Sequence, residues 1–412
     1  MNGKGYYLLM NDIDLSSVSN WTPIAENSTI SGSFNGQNYT ISGLTVNSTN
    51  SYAGLFAACT DMTIKNLNLA VKKISGAGAV GSLVAKSINS QFENCHVTIA
   101  TSIKGSSEAG GLIGVTQDAT TITNCSVTGP IQGGSSVGGI VGSLIGEISK
   151  STYNGTITST TSSAKLGGIV GVNAASVSEC KSSGKVACTA SGSIVGGLIG
   201  ENGKYSIENC YSTMAVTANK YAGGLVGYNY GKITNCYASG NLTSTTNAGG
   251  VVGYNDGTSA IVSYCCAMNN EIKVTSSTGV AIRVIGGLKN SAPLPENNYA
   301  LKTMAVSVNG VAQTIYDDNI NGVAYSASEL KEEMFYLLLG WDMVDIWGIN
   351  EGKSYPYLQI FPSTTKYTDV TVAACDSYTW NSKTYTQSGE YTYTATAANG
   401  CDSIVTLHLT IN

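Results

Sequence analysis

The stretch Gly223-Gly224-Leu225-Val226-Gly227-Tyr228-Asn229, followed by Ile233-Thr234-Asn235-Cys236-Tyr237, decides the fold, because it is one copy of a repeat. Its pentad recurs with little change at residues 110–114, 138–142, 167–171, 196–200 and 249–253. Weaker copies stand at 53–57, 81–85 and 286–288. From 53 to 249 the starts are 28, 29, 28, 29, 29, 27 and 26 residues apart. Each unit has a second landmark, an apolar residue three before a cysteine: Phe92/Cys95, Ile122/Cys125, Val177/Cys180, Ile207/Cys210, Ile233/Cys236 and Val262/Cys265. Strand side chains alternate with period two, so a spacing of three puts both inside only if a corner or bulge lies between them. After the cysteine the alternation resumes, as in Cys180, Ser182, Gly184, Val186 and Cys188. One unit therefore reads as three short β segments, the first of them the pentad itself.

A coil of this length cannot bury its own inner face and must stack on copies of itself. The prediction is an all-β chain, a parallel right-handed β-helix or solenoid of about 9–10 coils. At about 4.8 Å per coil that rod is roughly 45 Å long. A propeller blade needs about 40 residues and is excluded. Asn173, Asn202, Asn229 and Asn255 each fall six residues after a pentad start, which predicts a ladder of amides along the rod.

The composition fits. Of 412 residues only 11% are charged, and 49 are glycine. Stacked like charges repel, so Ser, Thr and Asn take the outer faces. Collagen, long exposed helices and charge-driven disorder are excluded. No apolar run reaches the roughly 18 residues of a membrane span. Net charge is −5 and the single arginine is Arg283, which argues against a nucleic-acid groove.

With the repeat in hand, residues 223–237 resemble the GLUG-motif repeat of bacterial surface proteins. The opening Tyr6–Leu15, Trp21-Thr22-Pro23-Ile24 and Gly32-Ser33-Phe34-Asn35-Gly36 resemble the N-terminal coils of such proteins. Gly340-Trp341-Asp342, Trp347 and Glu351–Leu358 resemble the segment that closes many such arrays. The likeness covers about 1–362. The tail, from Cys375-Asp376-Ser377-Tyr378-Thr379-Trp380 through Cys401-Asp402-Ser403, is similar to a module common near the C-termini of Bacteroidetes surface proteins, often in tandem. The resemblance implies an adhesin-like secreted or cell-surface protein, outer-membrane-associated in a Gram-negative bacterium. Further tandem modules in a longer chain are expected. It implies no shared catalytic residues and names no ligand.

Three domains are expected: a solenoid over 1–300, a cap over 301–365 and a small antiparallel β-sandwich, Ig-like, over 366–412. In the cap, Ser326-Ala327-Ser328-Glu329 is a capping-box pattern. It predicts a short helix over 330–339 with Gly340 at C′, and Phe335, Trp341 and Trp347 are expected to cover the last coil. In the tail Asn399-Gly400 marks a turn. A Cys375–Cys401 disulfide would add about 3 kcal/mol to a marginal core in an oxidising compartment.

Candidate sites are few. The solenoid cysteines read as buried free thiols acting as small core groups. No CxxC or Cys/His spacing for zinc occurs, so neither metal nor cofactor is expected. Asp12 and Asp14 read as turn residues, Asp317-Asp318 as a solvated loop pair, and His96 and His408 as ordinary strand residues. Tyr211 and Tyr237 are expected to point outward in one row, with Tyr264 extending it; exposed rings there could stack on sugars, or merely support the rod. Tyr228, Tyr230 and Tyr254 form a second candidate patch. Two functions stay open: a non-enzymatic rod that meets a glycan or protein partner, and a carbohydrate-active β-helix enzyme, a lyase or hydrolase with scattered carboxylates.

Overall fold

The structure is a computed structural model that describes residues 3–289, 291–361, 366–396 and 402–412. It divides into two compact units, Met1–Trp341 and Asp342–Asn412.

The first unit is a parallel β-solenoid of about 10 turns. Nine strands, from Tyr52–Ala53 through Tyr221–Gly223 to Val280–Ile282, stack in sequence order as one parallel sheet. The remaining segments of each coil form a second, continuous sheet. The pentad does not lie on one strand, as expected, but spans a corner. Gly223 ends one strand and Val226 begins the next, Val226–Asn229. The glycines are demanded by backbone crowding: a β-carbon on Gly223 would fall into the Val226 carbonyl, and one on Gly224 into the Gly250 carbonyl of the next coil.

The expected corner before each cysteine is a single residue in the left-handed region. Asn94, Asn124, Asn209 and Asn235 have φ of 51–52°, and Lys150, Glu179 and Tyr264 take the same place at 49–54°. Asparagine tolerates this conformation better than most residues. The twist returns the chain inward, so Ile207 and Cys210 are both fully buried. Inside, Leu112, Ile140, Ile169, Leu198, Leu225 and Val251 follow one another at the pentad's third place, none measurably exposed.

The predicted ladder is present, and it faces the interior. The Asn173 amide donates to Asn202, Asn202 to Asn229 and Asn229 to Asn255, each at 2.8 Å. The second N–H of each amide satisfies a carbonyl of its own coil, for example Gly231 at 2.8 Å. A second ladder was not foreseen. At the left-handed corner Asn66, Asn94 and Asn124 donate in turn to Asn35, Asn66 and Asn94 at 3.2, 3.0 and 2.6 Å.

Parallel stacking continues past residue 300. Ala305–Val308 pairs with Glu271–Val274, and Val323–Tyr325 with Tyr299–Leu301. The capping box forms: Glu329 Oε2 accepts from the Ser326 N–H at 2.8 Å and Ser326 Oγ accepts from the Glu329 N–H at 3.3 Å. It heads only the 3₁₀ turn Glu329–Lys331, however, and extended Glu332 separates this from the helix Glu333–Leu338. Gly340 (φ 76°) is C′ as expected: its N–H reaches Leu337 O and that of Trp341 reaches Tyr336 O, a Schellman motif. Phe335 packs between Tyr299, Tyr325 and Tyr336, and Trp341 Nε1 donates to Tyr264 O at 3.2 Å.

In the second unit Trp347–Gly348 pairs antiparallel with Tyr357–Leu358, and Trp347 is fully buried. Gly389–Thr396 pairs antiparallel with Asp402–Ile411, and Tyr378–Trp380 forms a hairpin with Lys383–Tyr385. Lys366–Ala374 joins Asp402–Ile411 in parallel, a departure from purely antiparallel order. The Asn399-Gly400 turn and the Cys375–Cys401 pairing lie outside the described residues; Cys375 itself is exposed.

Candidate functional site

The pentad corner folds the coil back on its own outer surface. At the fifth place of the pentad, a β-carbon on Gly227 would lie 2.9 Å from the Val195 nitrogen, one coil back on the nine-stranded sheet, and one on Gly253 would lie 3.0 Å from Ala222. Two outer walls thus meet along a crease that follows the stack. Side chains bridge it with a one-coil offset. Lys165 on one wall pairs with Glu201 on the other at 2.9 Å, and Asn247 Nδ2 donates to Gly286 O at 3.1 Å.

The crease gathers tyrosines. Tyr228 and Tyr254 are neighbours on adjacent strands, their rings stacked at 5.3 Å and 28°. Tyr230 lies 4.9 Å from Tyr228. Tyr221, from the opposite wall, lies 5.4 Å from Tyr228 and 4.9 Å from Tyr254. All four rings are half-buried. Tyr228 Oη donates to Asp256 Oδ2 at 2.7 Å, and Lys289 Nζ reaches the same oxygen at 3.1 Å. The Tyr228 hydrogen bond and the Lys289 charge hold the Asp256 carboxyl below its ordinary range, while burial and that carboxylate push the Tyr228 phenol up. Lys220 Nζ lies 4.9 Å from the Tyr221 ring centre. Rigid rings with one charged anchor can stack on an apolar sugar face and bond its hydroxyls.

Of the two expected tyrosine sites, the structure gathers the second and adds Tyr221, Asp256 and Lys289. The sequence signal for Tyr221 was its place two residues before a pentad start, legible only once the corner is known to close on itself. The first site differs from expectation. Tyr211 and Tyr237 do stack, 4.8 Å apart and 5° from parallel, but only 9% and 3% of each is exposed. Tyr264 does not extend their row. It precedes its cysteine rather than following it, so it occupies the left-handed corner, and Cys266 takes the row position.

The solenoid cysteines are buried free thiols, and six of the nine form a column. The column consists of Cys95, Cys125, Cys180, Cys210, Cys236 and Cys265, and each of these donates to the carbonyl two residues before it, Cys210 to Glu208 at 3.2 Å and Cys236 to Thr234 at 3.1 Å. Cys180 and Cys210 give their backbone N–H to the next sulfur at 3.3 Å. Burial, together with the neighbouring sulfurs, pushes Cys180, Cys210 and Cys236 well above the usual thiol range. Among the described residues no three His, Cys, Asp or Glu side chains cluster to hold a metal.

The acids and histidines singled out in the sequence are tied up in structure. Asp14 caps its own turn, accepting from the Ser16 N–H at 2.8 Å, whereas Asp12 accepts from the Thr40 N–H of the next coil at 2.7 Å. Asp317 and Asp318 are not an idle solvated pair: Asp317 holds Arg283, almost wholly buried, at 2.6 Å, and Asp318 accepts from Ile320 and Asn321. His96 Nδ1 lies 2.8 Å from Ser126 Oγ, and His408 lies 3.0 Å from Glu390.

Residues 105–131, 191–217 and 218–243 match the GLUG motif family. No curated protein matches the chain. Among solved structures it aligns with the crystal structure of a putative immunoglobulin A1 protease from Bacteroides ovatus, at 20% identity over 87% of each chain. The TM-score is 0.37, too low for that likeness to carry an argument. No helix among the described residues is long and apolar enough to cross a membrane. The chain is therefore a β-solenoid in which three stretches, residues 105–131, 191–217 and 218–243, match the GLUG motif.

Proposed function

We propose that the protein is a non-enzymatic, adhesin-like rod of the cell surface or the secreted space that binds glycan through the tyrosine crease. The observation that carries this reading is the gathering of Tyr221, Tyr228, Tyr230 and Tyr254 from two walls, with Asp256 anchored beneath them. Half-buried aromatic rings in a fixed arrangement lose little side-chain entropy on binding. Groups that bond sugar hydroxyls surround them.

A glycan array tests it, with Tyr254→Ala in the crease and Tyr264→Ala at the opposite corner as the control. Binding that falls with the first change and survives the second supports the proposal. Binding that ignores Tyr254, or release of reducing ends from a bound polysaccharide, overturns it.

A further inference from the structure

The crease has a second concave stretch toward its N-terminal end. A cavity of about 300 Å³ opens there between the two walls, lined by Tyr52, Lys86, Ser107, Glu108 and Gln117 among others. A polar cavity of about 360 Å³, containing Glu26 and Asn50, shares Ser51 and Tyr52 with it. Tyr52 stands on the same wall as Tyr221, six strands earlier in the nine-stranded sheet. Lys86 stands on the same wall as Tyr254, and its Nζ lies 5.8 Å from the Tyr52 ring centre. The one-coil offset is that of Tyr221 and Tyr254. The second stretch therefore shares with the first an aromatic ring on one wall met by a side chain of the other at the same offset; here that side chain is an ammonium rather than a ring, and a hollow opens beside it.

The polar groups around Tyr52 differ from those in the middle of the crease. There Lys165 and Glu201 neutralise each other at 2.9 Å. Around Tyr52 the Glu108 carboxylate and the Gln117 amide have no side-chain partner among the described residues, and Glu26 engages only Asn50, at 2.7 Å. A ring face, free hydroxyl acceptors, an amide and one ammonium suit a ligand rich in hydroxyls. An anionic ligand would face Glu108 and Glu26, and a cationic one would face Lys86. Six steps at about 4.8 Å put the two stretches roughly 29 Å apart along the crease.

We infer that the Tyr52 cavity is a second carbohydrate subsite, and that the rod binds lengthwise along a single neutral polysaccharide chain through both. This rests on the glycan reading of the Tyr228 cluster but involves different residues. Two weak sites on one rigid support gain affinity for a chain that spans both, by about 10²-fold or more, with no new contact.

The test uses the full chain with Tyr228→Ala/Tyr254→Ala as background. The probes are short and long oligosaccharides of xylan, mannan and β-glucan, the parent polymers, and polygalacturonate and chitosan as charged counterparts, all measured by titration calorimetry. Short neutral oligosaccharides should still bind the background, and Tyr52→Ala should weaken that residual binding roughly tenfold. Tyr52→Phe should keep it, which separates loss of the ring from loss of the fold. For the wild type, the gain of polymer over short oligosaccharide should collapse with either site removed. A background that binds no oligosaccharide overturns the second subsite and leaves the tyrosine cluster standing. Wild-type binding that needs Tyr52 but ignores Tyr228 and Tyr254 does the reverse. Tighter binding of polygalacturonate or chitosan than of every neutral polymer overturns the ligand class, and no binding of any probe overturns both sites.

Discussion

The two halves of the rod solve one problem in two places. In the C-terminal half the amide ladder runs inside, through Asn173, Asn202, Asn229 and Asn255. In the N-terminal half the same interior column holds Cys59, Ser87, Thr116 and Leu144, and the amide ladder stands at the left-handed corner, through Asn35, Asn66, Asn94 and Asn124. The interior ladder is sealed from water, whereas the corner ladder is partly wet. Beyond Asn124 the corner passes to Lys150 and Glu179, 4.0 Å apart, just as the interior ladder begins. An amide whose partner is removed in a dry place strands a polar group; in a wet place water replaces it. The two ladders should thus differ in energy although their geometry is alike.

The sharpest way to break this comparison is to remove one rung from each ladder. Asn229→Ala leaves Asn255 and its neighbours with unmet polar groups in the dry interior, and should cost about 3 kcal/mol in urea unfolding. Equal costs for Asn229→Ala and Asn94→Ala would break the distinction. Next comes the ladder's end. Asn173 Oδ1 is buried with no partner, because Leu144 lies beneath it. Asn173→Leu removes that orphan while creating one at Asn202, so it should cost about 1 kcal/mol, less than the middle rung. Asn94→Ala should also cost about 1 kcal/mol, mostly from forcing alanine into the left-handed corner rather than from the lost bond.

A separate effect comes from pH. The folded thiols of Cys180, Cys210 and Cys236 titrate above their unfolded range, so the folded state holds protons that the unfolded chain releases. Their contribution is fully present below pH about 8.5 and declines as pH rises beyond it. A urea midpoint that falls between pH 8 and 10, with alkylation of Cys210 no faster than unfolding, is the expected result. A midpoint that rises, or fast alkylation of the native rod, would contradict it.

The interior ladder was legible because its asparagines share a constant offset from a repeating pentad. The corner ladder was not, since Asn94 and Asn124 look like any turn asparagine until the coil register stacks them. The thiol column could be read from the three-residue spacing, though the corner residue that permits it is asparagine in one coil, lysine or glutamate in another. The crease was invisible for a different reason. The pentad was read as a strand, and a strand has no inside corner; only the backbone approach of Gly227 to Val195 brings Tyr221 against Tyr228.

Leu144 ends one ladder, and its consequence is mechanical. Each coil of a stack touches only the coils beside it, so the stack resists tension no better than its weakest junction. At Leu144 the interior column passes from apolar and hydroxyl groups to amides with no hydrogen bond across the step, and Asn173 faces it with an unmet oxygen. The main chain makes up for it: Val141–Ser149 pairs with Val170–Ser178 at eight positions, against three and two where Val170–Ser178 meets the strands after it. The step at Leu144 is therefore held by backbone pairing where the side-chain amides give none.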